Sequence, residues 1–115
     1  MNFGARLKAE PVRELAFGAF AASGTNFVLL KSAANPGGLI QFYTKILTFC
    51  NTMNVDMYIS LDGINNHFRI ASESGRTIDL RNNDIYQIPG DAMYARYFGS
   101  GAPASGAIWA EVLYV

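Results

Sequence analysis

The chain has 115 residues, of which half are hydrophobic and only 16% are charged, with nine basic side chains balancing nine acidic ones. That length is one domain's worth. Such a composition excludes a disordered chain, a strongly basic nucleic-acid binder and a membrane-spanning helix, and a single cysteine excludes an intrachain disulfide or a cysteine-based zinc site.

The first 14 residues, MNFGARLKAEPVRE, are mildly basic and lack the apolar core of a secretory signal. A short helix over residues 5–10, ended by Pro11, or an extended arm both suit them. As an arm they would reach a neighbouring subunit, with Phe3 and Leu7 as apolar anchors and Arg6, Lys8 and Arg13 as basic contacts. Residues 15–115 then form the folded domain. Residues 1–50 carry five basic and two acidic side chains, and residues 51–115 carry four and seven. If that +3/−3 split survives in space, it favours head-to-tail contacts between copies.

From residue 15 onward the pattern is strand and turn. Residues 15–22 are small and apolar, and residues 27–31 are a short β-type run. Asn35-Pro36-Gly37-Gly38 is a strong turn. Residues 39–50 read as one bent strand whose apolar side switches near Lys45, which predicts a bulge or a crossing between sheets. Residues 55–61 alternate cleanly, with Val55, Met57, Ile59 and Leu61 inward. Further strands are expected at 67–71, 76–80, 91–98 and 107–115. The loop GSGAPASG, residues 99–106, separates the last two. Turn signals every 8–12 residues or so predict an all-β fold, an antiparallel β-sandwich, with about eight strands suiting a jelly roll.

Chemistry is sparse. His67 is the only histidine, and no nucleophile elbow accompanies it. Cys50 ends an apolar strand and reads as a small buried hydrophobe. Asp56, Asp62, Asp79, Asp84 and Asp91 read as turn and surface residues, and the loop after Asp62 departs from the calcium-binding pattern. The glycines of residues 99–106 join two strands and open no helix, so a phosphate loop is not expected. No catalytic residue, metal or cofactor is therefore expected. The aromatic residues of the second half, Tyr94, Tyr97 and Trp109 among them, suit core and subunit contacts, and an exposed row could also stack on sugars.

Three segments resemble small virion proteins of tailed bacteriophages. Residues 51–63, NTMNVDMYISLDG, are similar to a recurring strand-and-turn pattern there, with Asn54-Val55-Asp56 in place of its usual order. Residues 76–83, RTIDLRNN, and the ending from Met93 to Val115 resemble two more. The resemblance implies a jelly-roll sandwich in a phage particle with no catalytic role. The implied role is a capsid decoration or cement protein on the outer capsid surface, made in the host cytoplasm. Its implied partners are the major capsid protein and its own copies, as a homotrimer, with no nucleic acid or membrane. A neck, collar or tail component is the competing position, and a carbohydrate- or receptor-binding module the competing class. Phe3, Arg6, Leu7, Lys8, Arg13, Tyr94, Tyr97 and Trp109 are the expected interface residues.

Overall fold

The computed structural model describes residues 8–21, 24–80, 90–97 and 101–114. Among them lie nine strands and one helical turn: β1 (Lys8–Ala9), β2 (Arg13–Ala16), α1 (Gly18–Ala21), β3 (Val28–Leu29), β4 (Thr44–Asn51), β5 (Met57–Ser60), β6 (Phe68–Ile70), β7 (Ser74–Asp79), β8 (Tyr94–Tyr97) and β9 (Ala107–Tyr114). They form two antiparallel sheets. In sheet A the order is β1-β9-β4-β7, with β2 following β1 along the same edge of β9. In sheet B it is β3-β8-β5-β6. The chain is an antiparallel β-sandwich, as its periodicity predicts.

Alternation explains the layers. Leu47 and Phe49 of β4, with Ile108, Ala110 and Val112 of β9, turn inward from sheet A. Met57, Ile59, Ile70 and Ala95 meet them from sheet B in one core cluster. Burying an apolar side chain of this size contributes roughly 1.5–3 kcal/mol.

Two breaks in the pairing set which residues face that core. Between Thr44 and Ile46 the register of β4 against β9 shifts. Lys45 is the extra residue, so Thr44 and Leu47, three positions apart, are both fully buried. This is the bulge that the change of apolar side at Lys45 predicts. On the other side of β9, Ala9 pairs Leu113 while Arg13 pairs Ala110, so residues 10–12 lie opposite only two residues. Pro11, which has no N–H to give, sits in this second bulge on an edge segment. Its consequence is that Glu10 and Arg13, an odd number of residues apart, both point inward.

Two expectations are corrected here. Residues 8–16 are neither a helix nor an arm separate from the domain. Lys8–Ala9 and Arg13–Ala16 are strands paired along β9, and residues 1–7 of the expected arm lie outside the described residues. Nor does the strand pattern expected from residue 15 onward run on through residue 21. β2 ends at Ala16, and the single turn of α1 follows, closed by the Phe20 N–H donating to Phe17 O at 3.0 Å. That turn drops the Phe20 ring into the core.

One glycine is required at the end of the β4–β9 pairing. Gly106 has φ 85°, and a Cβ there would stand 2.3 Å from Thr52 O. Thr52 is clamped to Ala107 by its backbone N–H at 2.9 Å and by its hydroxyl, which accepts from the Ala107 N–H at 3.0 Å. The collision cannot relax without opening that clamp. Gly106→Ala should therefore cost about 2–5 kcal/mol from backbone strain and overpacking together. A urea titration checks this: the midpoint should fall well below that of the parent protein.

Candidate functional site

The outward positions of sheet A include one large aromatic residue, Trp109. Register places Glu14, Trp109, Cys50 and Gly75 in one transverse row across β2, β9, β4 and β7. Trp109 is 39% exposed. The next row is Glu111, Thr48 and Thr77, with the two threonine hydroxyls 3.3 Å apart. The third is Leu113, Ile46 and Asp79. These paired outward positions carry three carboxylates and no lysine or arginine. Beside the first row, where Gly75 leaves space, lies an open groove of about 440 Å³ lined by Cys50, Asn51, Thr52, Glu73, Ser74 and Gly75.

The outward face of sheet B is mixed in charge, with Asp56 and Asp62 beside its arginines. Arg69, Tyr58 and Arg96 form a row across β6, β5 and β8. The Arg96 guanidinium lies 4.2 Å from the centre of the Phe27 ring and donates to Asn66 Oδ1 at 2.9 Å. Arg69 is paired with Asp56 through both Nε and Nη2. That hydrogen bond, with the Ser72 N–H, holds the Asp56 carboxyl below its ordinary range and raises the Arg69 guanidinium.

The expected interface residues divide. Phe3, Arg6 and Leu7 lie outside the described residues. Lys8 is exposed at the β1 edge, opposite Tyr114, whose ring stacks on Phe42 at 4.0 Å. Trp109 stands on the sheet A face and Tyr94 on the sheet B side, so they share no surface. Tyr94 packs over Gly63, within 3.2 Å of where a Cβ would stand. Two expectations fail outright. Tyr97 is 8% exposed, inside the core opposite Met57. Arg13 is 1% exposed, donating to Glu10 Oε1 at 2.9 Å and to Gly38 O at 2.8 Å. Neither can present its side chain to a partner; alternation places Tyr97 inward, and the bulge at Pro11 places Arg13 beside Glu10.

Residues that could carry chemistry are occupied structurally. His67 Nδ1 accepts from the Leu61 N–H at 2.9 Å, and Nε2 stands 3.8 Å from Asp62 Oδ2. Asp62 Oδ1 accepts from Ser60 Oγ at 2.9 Å, Ile64 N–H at 2.8 Å and Asn65 N–H at 2.9 Å. The Asn65 and Ile64 amides, in that order, hold the Asp62 carboxyl well below the ordinary carboxylate range. Cys50 lies on sheet A and His67 on sheet B, so they form no nucleophile–base pair. Among the described residues no three His, Cys, Asp or Glu side chains gather to hold a metal; Asp84 lies outside them.

The depressed Asp62 and Asp56 carboxyls make the 60–67 loop and the β5–β6 pair acid-sensitive. A lowered folded-state pKa stabilises above the unfolded value of about 3.9, and the contribution is lost as pH falls below it. Stability against urea should thus fall below about pH 4. In Asp62→Asn, stability at neutral pH should be lower and that acid slope shallower; parallel pH profiles would contradict the loop's role.

No family model, curated protein or solved structure matches the chain.

Proposed function

We propose that the chain is a structural component of a tailed-phage virion, a capsid decoration (cement) protein that binds the major capsid protein on the outer shell and assembles with its own copies as a homotrimer. The observation that carries this reading is strand order. From β2 onward, β2-β9-β4-β7 faces β3-β8-β5-β6, and the chain passes between layers at every step except β5 to β6. That arrangement supports a jelly roll, an architecture used in viral capsid domains and in lectins.

The surfaces favour assembly. Trp109, Tyr58 and the arginines are residue types enriched at protein interfaces, and a rigid sandwich holds them in fixed relation. Sequence resemblance to phage virion proteins points the same way. A glycan-binding module is the second reading, favoured by the exposed Trp109 beside the groove at Gly75.

Quantitative gel analysis of virions from the genome that encodes the chain tests the proposal. A decoration protein should be present in hundreds of copies per particle. About a dozen would instead place it in the neck or tail, and absence from the particle would overturn a virion role. A specific hit on a glycan array, abolished in Trp109→Ala, would favour the second reading.

A further inference from the structure

We propose that the outward face of sheet A binds a neutral oligosaccharide, with one hexopyranose ring stacked on Trp109 and the next sugars crossing Cys50 to the groove at Gly75. This rests on the second reading above, that the chain binds glycans, and names the class of glycan and its seat. It leaves sheet B free for contact with a capsid.

The Trp109 indole is 39% exposed. Its row continues through Cys50 to Gly75, so small residues separate it from the groove of about 440 Å³. Neighbouring strands lie about 4.8 Å apart. The row from Glu14 to Gly75 crosses three such gaps, about 14 Å, which is room for a short oligosaccharide. An aromatic platform leading into a groove suits a sugar ring, whose C–H face packs on the indole while its hydroxyls point to the sides.

The polar groups at those sides are acceptors. Glu14 stands in the Trp109 row, Glu111 two positions along β9, and Glu73 in the groove wall. All three are exposed, and none is in an ion pair among the described residues. Carboxylates accept hydroxyl protons and repel an acidic or sulfated sugar. Arg76 does not offset them: it pairs with Phe49 at an inward position, its guanidinium 5.3 Å from the centre of the Phe68 ring. Lys45 sits at the bulge, toward the other end of β4 from Cys50. Lys31 lies beyond β2, its carbonyl accepting from the Glu14 N–H at 3.2 Å.

Glu73 adds an independent sign. Its φ is 56°, and among the described residues it is the only one other than glycine with a positive φ. Glycine would sit there without strain. A glutamate kept in that conformation at the groove points to a use for its carboxylate.

Saturation-transfer NMR and calorimetry on the whole chain test this. Cellotetraose and maltotetraose are the neutral probes, sialyllactose the acidic one and tetramethylammonium a simple cation. At least one neutral probe should bind saturably, and sialyllactose at least about tenfold more weakly. Trp109 is the only tryptophan, so its emission should change in step with binding. Trp109→Ala should weaken binding at least about tenfold, and Glu73→Gln roughly three- to tenfold. Glu73→Gly should weaken it likewise while raising the thermal midpoint, a split that a purely structural role would not give. Arg69→Gln, on sheet B, should bind as the parent protein does. Unchanged thermal midpoints in Trp109→Ala and Glu73→Gln establish that those variants fold.

Sialyllactose bound as tightly as the neutral sugars would overturn the neutral class and leave glycan binding standing. Sugar binding that survives both Trp109→Ala and Glu73→Gln would overturn the seat. Tetramethylammonium binding without sugar binding would overturn the proposal in favour of a cationic ligand. Absence of any neutral sugar ligand, here and on the glycan array, would overturn the proposal, and an array with no hit of any kind would overturn the second reading with it.

Discussion

Glu10→Ala should lower the unfolding free energy by about 3–5 kcal/mol, the loss typical of breaking a buried ion pair from one side. Glu10 and Arg13 are 4% and 1% exposed. Their contact is 2.9 Å long, and the remaining Glu10 oxygen accepts from the Gln41 N–H at 3.3 Å. Burial disfavours the charged form of Arg13 and lowers its pKa, against which the Glu10 charge and hydrogen bond act. A guanidinium does not discharge at any ordinary pH. Among the described residues, removing Glu10 therefore leaves a buried cation held by the Leu30 and Gly38 carbonyls.

The pair also ties three segments together. Arg13 belongs to β2, the carbonyls to residues 30–38, and Gln41 to the approach to β4. Loss of Glu10 should thus loosen the connection between the sheets as well as the edge of sheet A. The double change Glu10→Leu/Arg13→Met removes both charges and should be far milder than Glu10→Ala. Urea titrations of the three proteins check this. A Glu10→Ala loss within about 0.5 kcal/mol, the range of ordinary surface changes, would contradict a dry pair.

Asn51→Asp should cost about 2–4 kcal/mol at neutral pH, despite near-identical shape. The buried Asn51 amide closes the end of the sandwich. Its Nδ2 donates to Val55 O at 2.9 Å, Ile70 O at 3.1 Å and Ala71 O at 3.3 Å. Its Oδ1 accepts from the Met53 N–H at 2.9 Å. One side chain at the end of β4 thereby holds the turn that starts toward β5 and the end of β6. A carboxylate would face three carbonyl oxygens with no proton to offer. Burial and those carbonyls would raise the new group's pKa, so its penalty is present at neutral pH and shrinks as pH falls through the raised value. Comparing the difference between variant and parent at pH 7 and pH 5 reads that sign. A difference independent of pH would mean that the amide's N–H groups are not what matters.

The sequence makes some of this legible and hides the rest for physical reasons. Period-two alternation at residues 55–61 identifies β5 and its inward residues, because one face of that strand is buried and the other is not. The change of apolar side at Lys45 announces the β4 bulge, because a one-residue insertion exchanges faces and leaves that trace in the pattern. Pro11 leaves no such trace. Glu10 and Arg13 look like the polar residues of an arm, and only the pairing of both flanks with β9 shows that they turn inward together.

Tyr97 was equally hidden, since an aromatic residue in a strand suits a core and an interface alike. The two faces were hidden because they are not contiguous in sequence. Glu14, Trp109, Glu111 and Asp79 come from three strands, and Arg69, Tyr58 and Arg96 from three others. The split of charge between the halves of the chain does not itself persist in space, because β2 brings Glu14 from the first half beside Trp109 from the second.

Self-assembly of the folded chain is the most direct point of test. Sedimentation velocity of the purified protein, over a series of micromolar concentrations at low salt, should show trimers that dissociate on dilution and as salt is raised. A single monomeric species throughout that series would contradict the assembly on which the proposed role depends.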